Sequence, residues 1–260
     1  MTGGSLLVAE HVTMKFGGNL ALTDVSIDAR AGEVTGLIGP NGAGKTTLFN
    51  VMTGMLTPTG GCTILDGRDV SRLDTHKRAR LGMARTFQRL ELFTDLSIRD
   101  NLRVAGEIRN SWGGLAGRLG VGGTGRGARH MNVARETERV LDLIGLGAIA
   151  DAGVSTIPTG TARVVELGRA LMIQPRVLLL DEPASGQSDD ETRAFERLLR
   201  RLAREDGLTV LLVEHDMELV MDVCDRIHVL DFGEVIAAGT PTEIRNDPRV
   251  REAYLGAEVT

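Results

Sequence analysis

The sequence predicts an α/β protein with a mostly parallel core sheet, an antiparallel β element before it and a helical part within it. Three observations predict this. The runs 177–180, 210–213 and 227–230 are short, leucine-rich or β-branched, and separated by helical stretches, the pattern of a sheet covered on both faces. The run 34–38 is a further buried strand that passes through a glycine-rich turn into a helical stretch, 46–52. Near the start, 6–9 and 21–27 read as strands joined through the turn residues Gly17, Gly18 and Asn19.

Other elements follow in order. Between 190 and 206, Phe195, Leu198, Leu199 and Leu202 keep helical spacing, so one crossover is an amphipathic helix. The stretch 101–151 breaks the strand–helix alternation. Its clearest helix is 133–144, and eight of the fifteen positions in 113–127 are glycine, a composition that holds no packed core. That insertion reads as a flexible loop or a partner-contact loop.

Composition excludes several classes. A chain of 260 residues with 42% hydrophobic content can bury a full α/β core. The longest strongly apolar runs fall far short of the roughly 20 residues of a membrane-spanning helix, and the first residues carry no secretory pattern. The expectation is a cytoplasmic protein. A net charge of −5 offers no electrostatic footprint for nucleic acid. Cys62 and Cys224 stand far apart without metal-ligand or redox spacing, and read as small apolar residues.

Gly39, Pro40, Asn41, Gly42, Ala43, Gly44, Lys45 and Thr46 fit G-x-x-x-x-G-K-[ST] between a strand and a helix, the context a P-loop requires. Glycines let backbone N–H groups wrap phosphate oxygens at the positive end of the following helix. Lys45 is expected to reach the β and γ phosphates, Thr46 to ligate Mg²⁺, and Thr47 to donate to a phosphate oxygen. Asp181 and Glu182 follow the buried run 177–180, at the strand edge where α/β sheets bind ligands. Alone they would read as a solvated strand end. Beside a P-loop, Asp181 suits a Mg²⁺ partner and Glu182 the group that polarises the attacking water.

With these residues in place the chain resembles, over nearly its whole length, the nucleotide-binding subunits of ABC transporters. Thr86-Phe87-Gln88 looks like that family's Q-loop, and the resemblance makes Gln88 a sensor of Mg²⁺ and water. Val213-Glu214-His215-Asp216 looks like the switch region, with His215 holding the γ-phosphate and Glu182 in register; taken alone, His215 would read as structural. Phe16 matches the aromatic position that packs on adenine, and otherwise reads as a hairpin core residue. The resemblance implies one ABC ATPase domain over 1–260. Residues 1–98 and 162–260 would form the P-loop NTPase core, of RecA type, with its antiparallel element, and 99–161 a helical subdomain.

Two segments depart from the family pattern. Where a Leu-Ser-x-Gly-Gln signature usually opens a helix, this chain has Ile157, Pro158, Thr159, Gly160 and Thr161. Pro158 is compatible with a first helical turn, yet offers neither hydroxyl nor N–H. Ser185-Gly186-Gln187-Ser188-Asp189 replaces the usual Leu-Asp or Leu-Asn pair. Family members pair head to tail, each ATP lying between the P-loop of one chain and the signature of the other. The expectation is therefore an asymmetric pair with a non-identical ATPase subunit, acting with transmembrane permease subunits and, indirectly, a solute-binding protein. It would sit peripherally on the inner face of the cell membrane, with ATP and Mg²⁺ as cofactors. Val213 to Met217 and the C-terminal residues 244–256 look most like the ATPases of branched-chain amino-acid importers. Lipopolysaccharide-export ATPases share a similar tail, and a soluble non-transport ABC ATPase or a non-hydrolysing regulatory module are further alternatives.

Overall fold

The computed structural model describes residues 4–87, 90–112 and 132–255. Gln88 and the glycine-rich insertion 113–127 lie outside the described residues.

Two sheets and a set of helices make the fold. The first sheet pairs β1 (Ser5–Phe16), β2 (Asn19–Arg30), β4 (Gly60–Leu65) and β5 (Arg68–Asp69) in the order β2-β1-β4-β5, antiparallel throughout. Strands β1 and β2 extend well beyond the runs 6–9 and 21–27. Their outer halves alternate polar and apolar residues on a half-solvated hairpin, so no continuous apolar run marks them. The turn itself is Gly17–Gly18, and Asn19 already belongs to β2.

The second sheet contains β3 (Val34–Ile38), β6 (Met83–Arg85), β7 (Val177–Asp181), β8 (Thr209–Val213), β9 (Arg226–Asp231) and β10 (Glu234–Gly239). Its order is β10-β9-β3-β8-β7-β6, with every pair parallel except the edge strand β10. All five residues of β3, β7 and β8 are buried. The strand period explains why both faces are apolar. Leu178, Leu180, Val210 and Leu212 join one hydrophobic core, while Val177, Leu179, Leu211 and Val213 join another on the opposite face.

The second of these cores is closed by β1, β2 and α1 (Lys45–Thr53), through residues such as Leu7, Val25, Leu48 and Phe49. The first is closed by α3 (Ile98–Ser111), α4 (Val133–Leu143), α5 (Thr159–Met172), α6 (Asp189–Arg204) and α7 (Met217–Val223), α2 being the short helix Thr75–Arg80. Helices α8 (Pro241–Asn246) and α9 (Pro248–Leu255) complete the C-terminal region. The expected division at 161/162 falls inside α5. This helix packs its Val165 and Met172 into the same core as the sheet residues, so one helix is shared by the helical part and the sheet.

Pro158 is not within the first helical turn. It is the residue before α5, with an extended ψ of 155°, and the helix starts at Thr159. Proline favours this place because its lack of N–H costs nothing where a helix has no intrahelical acceptor to offer.

Candidate nucleotide site

The register of the core sheet assembles the site. Asp181 pairs with Val213, and Leu37 with Val213, so β7, β8 and β3 end level on one edge. From that edge emerge the loop 39–44, the pair Asp181–Glu182, and Glu214–His215. Residues far apart in sequence thus meet at the carboxyl ends of parallel strands.

The loop 39–44 owes its shape to glycine. Gly39 has φ 152°, and a Cβ there would lie 1.9 Å from the Leu230 carbonyl oxygen; Gly44 has φ 102°, with the Ala21 carbonyl 2.8 Å from its Cβ position. Gly44 caps α1 without any side-chain hydrogen bond, which leaves the first-turn N–H groups facing the loop. The hairpin between β9 and β10 supports the loop from behind, since the Gly233 N–H donates to the Ala43 carbonyl at 2.9 Å. Lys45 is buried, and its Nζ donates to the Gly39 carbonyl at 2.6 Å and the Pro40 carbonyl at 2.9 Å. Burial pulls the Lys45 pKa down, with Glu182 and Asp181 pulling it back up.

A cleft of 430 Å³ brings Asn41 through Thr47 together with Glu182 and His215. The Glu182 Oε1 lies 2.7 Å from the His215 Nε2. Glu182 has φ 48°, an uncommon left-handed conformation for a non-glycine residue and a form of stored strain that clusters at functional positions. Its N–H donates to the Val213 carbonyl at 2.9 Å, which holds that conformation. Thr46 is exposed, Thr47 half-buried, and Asp181 buried. Phe16 is exposed at the tip of β1, so it is not a hairpin core residue.

Among the described residues, no group of three or more His, Cys, Asp or Glu could hold a metal ion by itself. The hydroxyl of Thr46 and the carboxylate of Asp181 are hard oxygen donors. This small set fits a cation that completes its shell with water and phosphate oxygens, the habit of Mg²⁺.

Contributors at four places in the fold were not foreseen from the sequence. Glu214 is a buried carboxylate that accepts from the Ala184 N–H at 2.9 Å and the His215 N–H at 3.0 Å, tying the loop after β7 to the loop after β8. Burial pushes its pKa up. A glutamate directly after a fully buried strand was the available signal. Glu166, on α5, is a second buried carboxylate raised by desolvation and drawn back by backbone N–H groups of Phe87 and Glu91. On the same helix, Arg163 donates to the Phe87 carbonyl at 3.1 Å and Arg169 to the Glu91 carbonyl. The helix that begins at Thr159 therefore grips both flanks of the segment containing Gln88. The third is Arg85, whose Nη2 lies 2.9 Å from the Asp181 Oδ2. The fourth is Phe232, on the β9–β10 turn, which lines the cleft while 90% exposed.

Pro158 and Thr159 are exposed at the start of α5, Gly160 is buried, and Thr161 is half-buried. A Cβ on Gly160 would lie 2.4 Å from the Glu191 carboxylate.

A parallel sheet whose strand ends carry a P-loop, an Asp-Glu pair and a histidine, joined to an antiparallel sheet and a helical part, is the architecture of an ATP-binding cassette. The family profile described as ABC transporter matches residues 22–185, and the chain belongs to that family: it is an ATPase subunit of the ABC type. A second profile, described as branched-chain amino acid ATP-binding cassette transporter, matches residues 234–260.

The particular resemblances agree. The chain is 41% identical over 251 residues to the high-affinity branched-chain amino acid transport ATP-binding protein LivG of Salmonella typhimurium, covering 96% of this chain and 98% of LivG. It is equally similar to BraF of Pseudomonas aeruginosa, at 41% with the same coverage. The lipopolysaccharide export system ATP-binding protein LptB of Acidithiobacillus ferridurans is 36% identical, covering 96% of this chain and 97% of LptB. Among solved structures, the ADP conformation of MJ1267, an ATP-binding cassette of an ABC transporter, superposes with a TM-score of 0.83 at 29% identity, covering 97% of this chain and 99% of that one.

Proposed function

We propose that this ATPase powers import of branched-chain amino acids or similar solutes, as one half of an asymmetric ATPase pair docked on membrane permease subunits. The observation that carries the catalytic part is the 2.7 Å pairing of Glu182 with His215 in the same cleft as Lys45 and Thr46. Glu182 accepts the proton of the attacking water as its oxygen bonds to the γ-phosphorus. The bond from that phosphorus to the bridging oxygen breaks, and ADP leaves. His215 holds Glu182 toward that water, and Lys45 and the N–H groups of residues 42–47 bind the phosphates. Thr46, Asp181 and, by family resemblance, Gln88 would hold Mg²⁺, which supplies charge neutralisation on the phosphates. Phe16, exposed at the end of β1, is available to stack on adenine.

The import assignment is supported by the names of LivG and BraF and by the C-terminal profile match. Among the described residues no helix is long and apolar enough to cross a membrane, which suits a subunit that acts peripherally, on the cytoplasmic side. The similarity to LptB keeps lipid export as the second reading. The asymmetry is supported by Pro158 and Thr161, which stand where a partner's ATP would meet serine and glutamine.

The test is ATP hydrolysis by the purified chain alone, mixed with a second ATPase subunit, and assembled with permease and solute-binding protein in liposomes that enclose ATP, with labelled leucine outside. Mixing is expected to raise turnover sharply, with leucine uptake in the assembly. Glu182→Gln is expected to lower turnover by about 10²–10⁴-fold. Equally fast hydrolysis by the chain alone would remove the asymmetry, and turnover without uptake of leucine or related solutes would remove the import reading.

A further inference from the structure

Arg85 ends β6, the strand that leads into Thr86 and Phe87, and its guanidinium is the centre of a buried cluster at the site's rear. Its Nη2 pairs with the Asp181 Oδ2 at 2.9 Å, with both side chains more than nine-tenths buried. Its Nη1 donates to the Asn50 Oδ1 at 2.6 Å and the Thr53 Oγ1 at 3.3 Å, both on α1. The guanidinium plane also lies 5.1 Å from the Phe49 ring and 5.0 Å from the Phe87 ring. One cation thus touches the carboxylate at the end of β7, the helix that carries Lys45 and Thr46, and the residue before Gln88.

From this geometry we infer that Arg85 is a positioning residue that aims the Asp181 carboxylate at the nucleotide-bound cation. The inference rests on the metal-holding reading of Asp181 given above. A carboxylate on a strand end can rotate about its last torsion, and either oxygen can face the site. Arg85 commits Oδ2, which leaves Oδ1 as the oxygen presented to the site. Because the same fork holds Asn50, one turn after Thr46, the carboxylate and the hydroxyl that share the cation are set against each other through a single rigid group. An ammonium cannot do this, since lysine has no planar fork to hold two acceptors in fixed geometry. Phe87, the residue before Gln88, packs its ring on the same guanidinium.

The experiment measures affinity for a fluorescent ATP analogue, in EDTA and in Mg²⁺, on the full chain carrying Glu182→Gln to stop turnover. Arg85→Met is expected to keep its affinity in EDTA, which also shows that the P-loop is folded. It should lose about 10–100-fold of the affinity gained on adding Mg²⁺, the usual cost of removing a partner of a metal-holding carboxylate. Arg85→Lys keeps the charge and is expected to lose part of that gain, which covers the case in which the methionine variant does not fold. Asp181→Asn separates the two readings. If it leaves the Mg²⁺ gain intact, the metal reading of Asp181 fails and the inference with it. If it abolishes the gain while both Arg85 variants retain it, the inference alone fails. Equal losses in EDTA and Mg²⁺ for the Arg85 variants, or a tighter Mg²⁺ response, would also overturn it.

Discussion

At the residue scale, the buried carboxylate of Glu214 carries a pH signature. Desolvation is the largest cause of its raised pKa, and it outweighs the N–H donors of Ala184, His215 and Asp216. The folded protein therefore holds this proton at pH values where the unfolded chain has released it. The stability it confers is fully present below the ordinary glutamate value of 4.5 and is lost as pH rises through the higher folded value. Glu214→Gln removes that loss. Thermal midpoints measured across pH should show the variant gaining on the parent from pH 4 to pH 7; a constant difference would mean that folding does not shift the Glu214 pKa. The residue's partners also explain why sequence reading passed over it. Its acceptor role joins Ala184 to His215, and nothing in the segment 213–216 announces a contact 30 residues away. The P-loop motif around Lys45 and Thr46 was visible because it is written in consecutive residues, whereas Arg85 pairs with a residue 96 positions distant.

At the element scale, the N-terminus of α6 and the start of α5 meet at one contact. Ser188 and Glu191 form a capping box at the N-terminus of α6, in which the Glu191 carboxylate accepts from the Ser188 N–H at 2.9 Å. Gly160, near the start of α5, packs against that carboxylate. Gly160→Ala has to displace Glu191 and so opens the capping box. Thermal unfolding should show a midpoint lowered by a few degrees. The effect should be non-additive with Glu191→Ala, because one contact is broken in both variants; additive losses would show that the two residues are independent. The sequence located the helix that contains Gly160 and found Pro158 compatible with its first turn, whereas the helix starts one residue later. Proline's fixed φ suits both the last residue before a helix and the first within it, so sequence alone did not separate these positions. Strand β6 was missed because it is three residues long; β10 is a half-exposed edge strand whose apolar run 235–238 was passed over.

At the scale of the whole molecule, nucleotide binding and folding stability are linked. The P-loop is built on α1, which closes one of the two cores, so ATP held there is expected to bind the folded state only. ATP in EDTA at a hundred times its dissociation constant should stabilise the chain by about 2.7 kcal/mol. For a chain of this size that is a rise in midpoint of roughly 5–10 °C. Lys45→Ala should abolish most of the rise while leaving the ligand-free midpoint within a few degrees of the parent. A rise retained in full by Lys45→Ala would place ATP elsewhere.

Two kinds of information separate at this scale. The amino-acid sequence by itself determined the P-loop, the strands β3, β7, β8 and β9, and the positions of Asp181, Glu182 and His215 at strand ends. Each depends on glycine geometry or on apolar periodicity within a few consecutive residues. Tertiary structure alone decided that β8 lies between β3 and β7, and that β6 is the outer neighbour of β7. Those adjacencies bring His215 to Glu182, Arg85 to Asp181, and α5 onto the flanks of the segment containing Gln88. Strand periodicity specifies which side chains face each core. It carries no information about which strand is the neighbour, because backbone hydrogen bonds are alike along every strand, and the order is settled by how the helices and the second sheet pack around them.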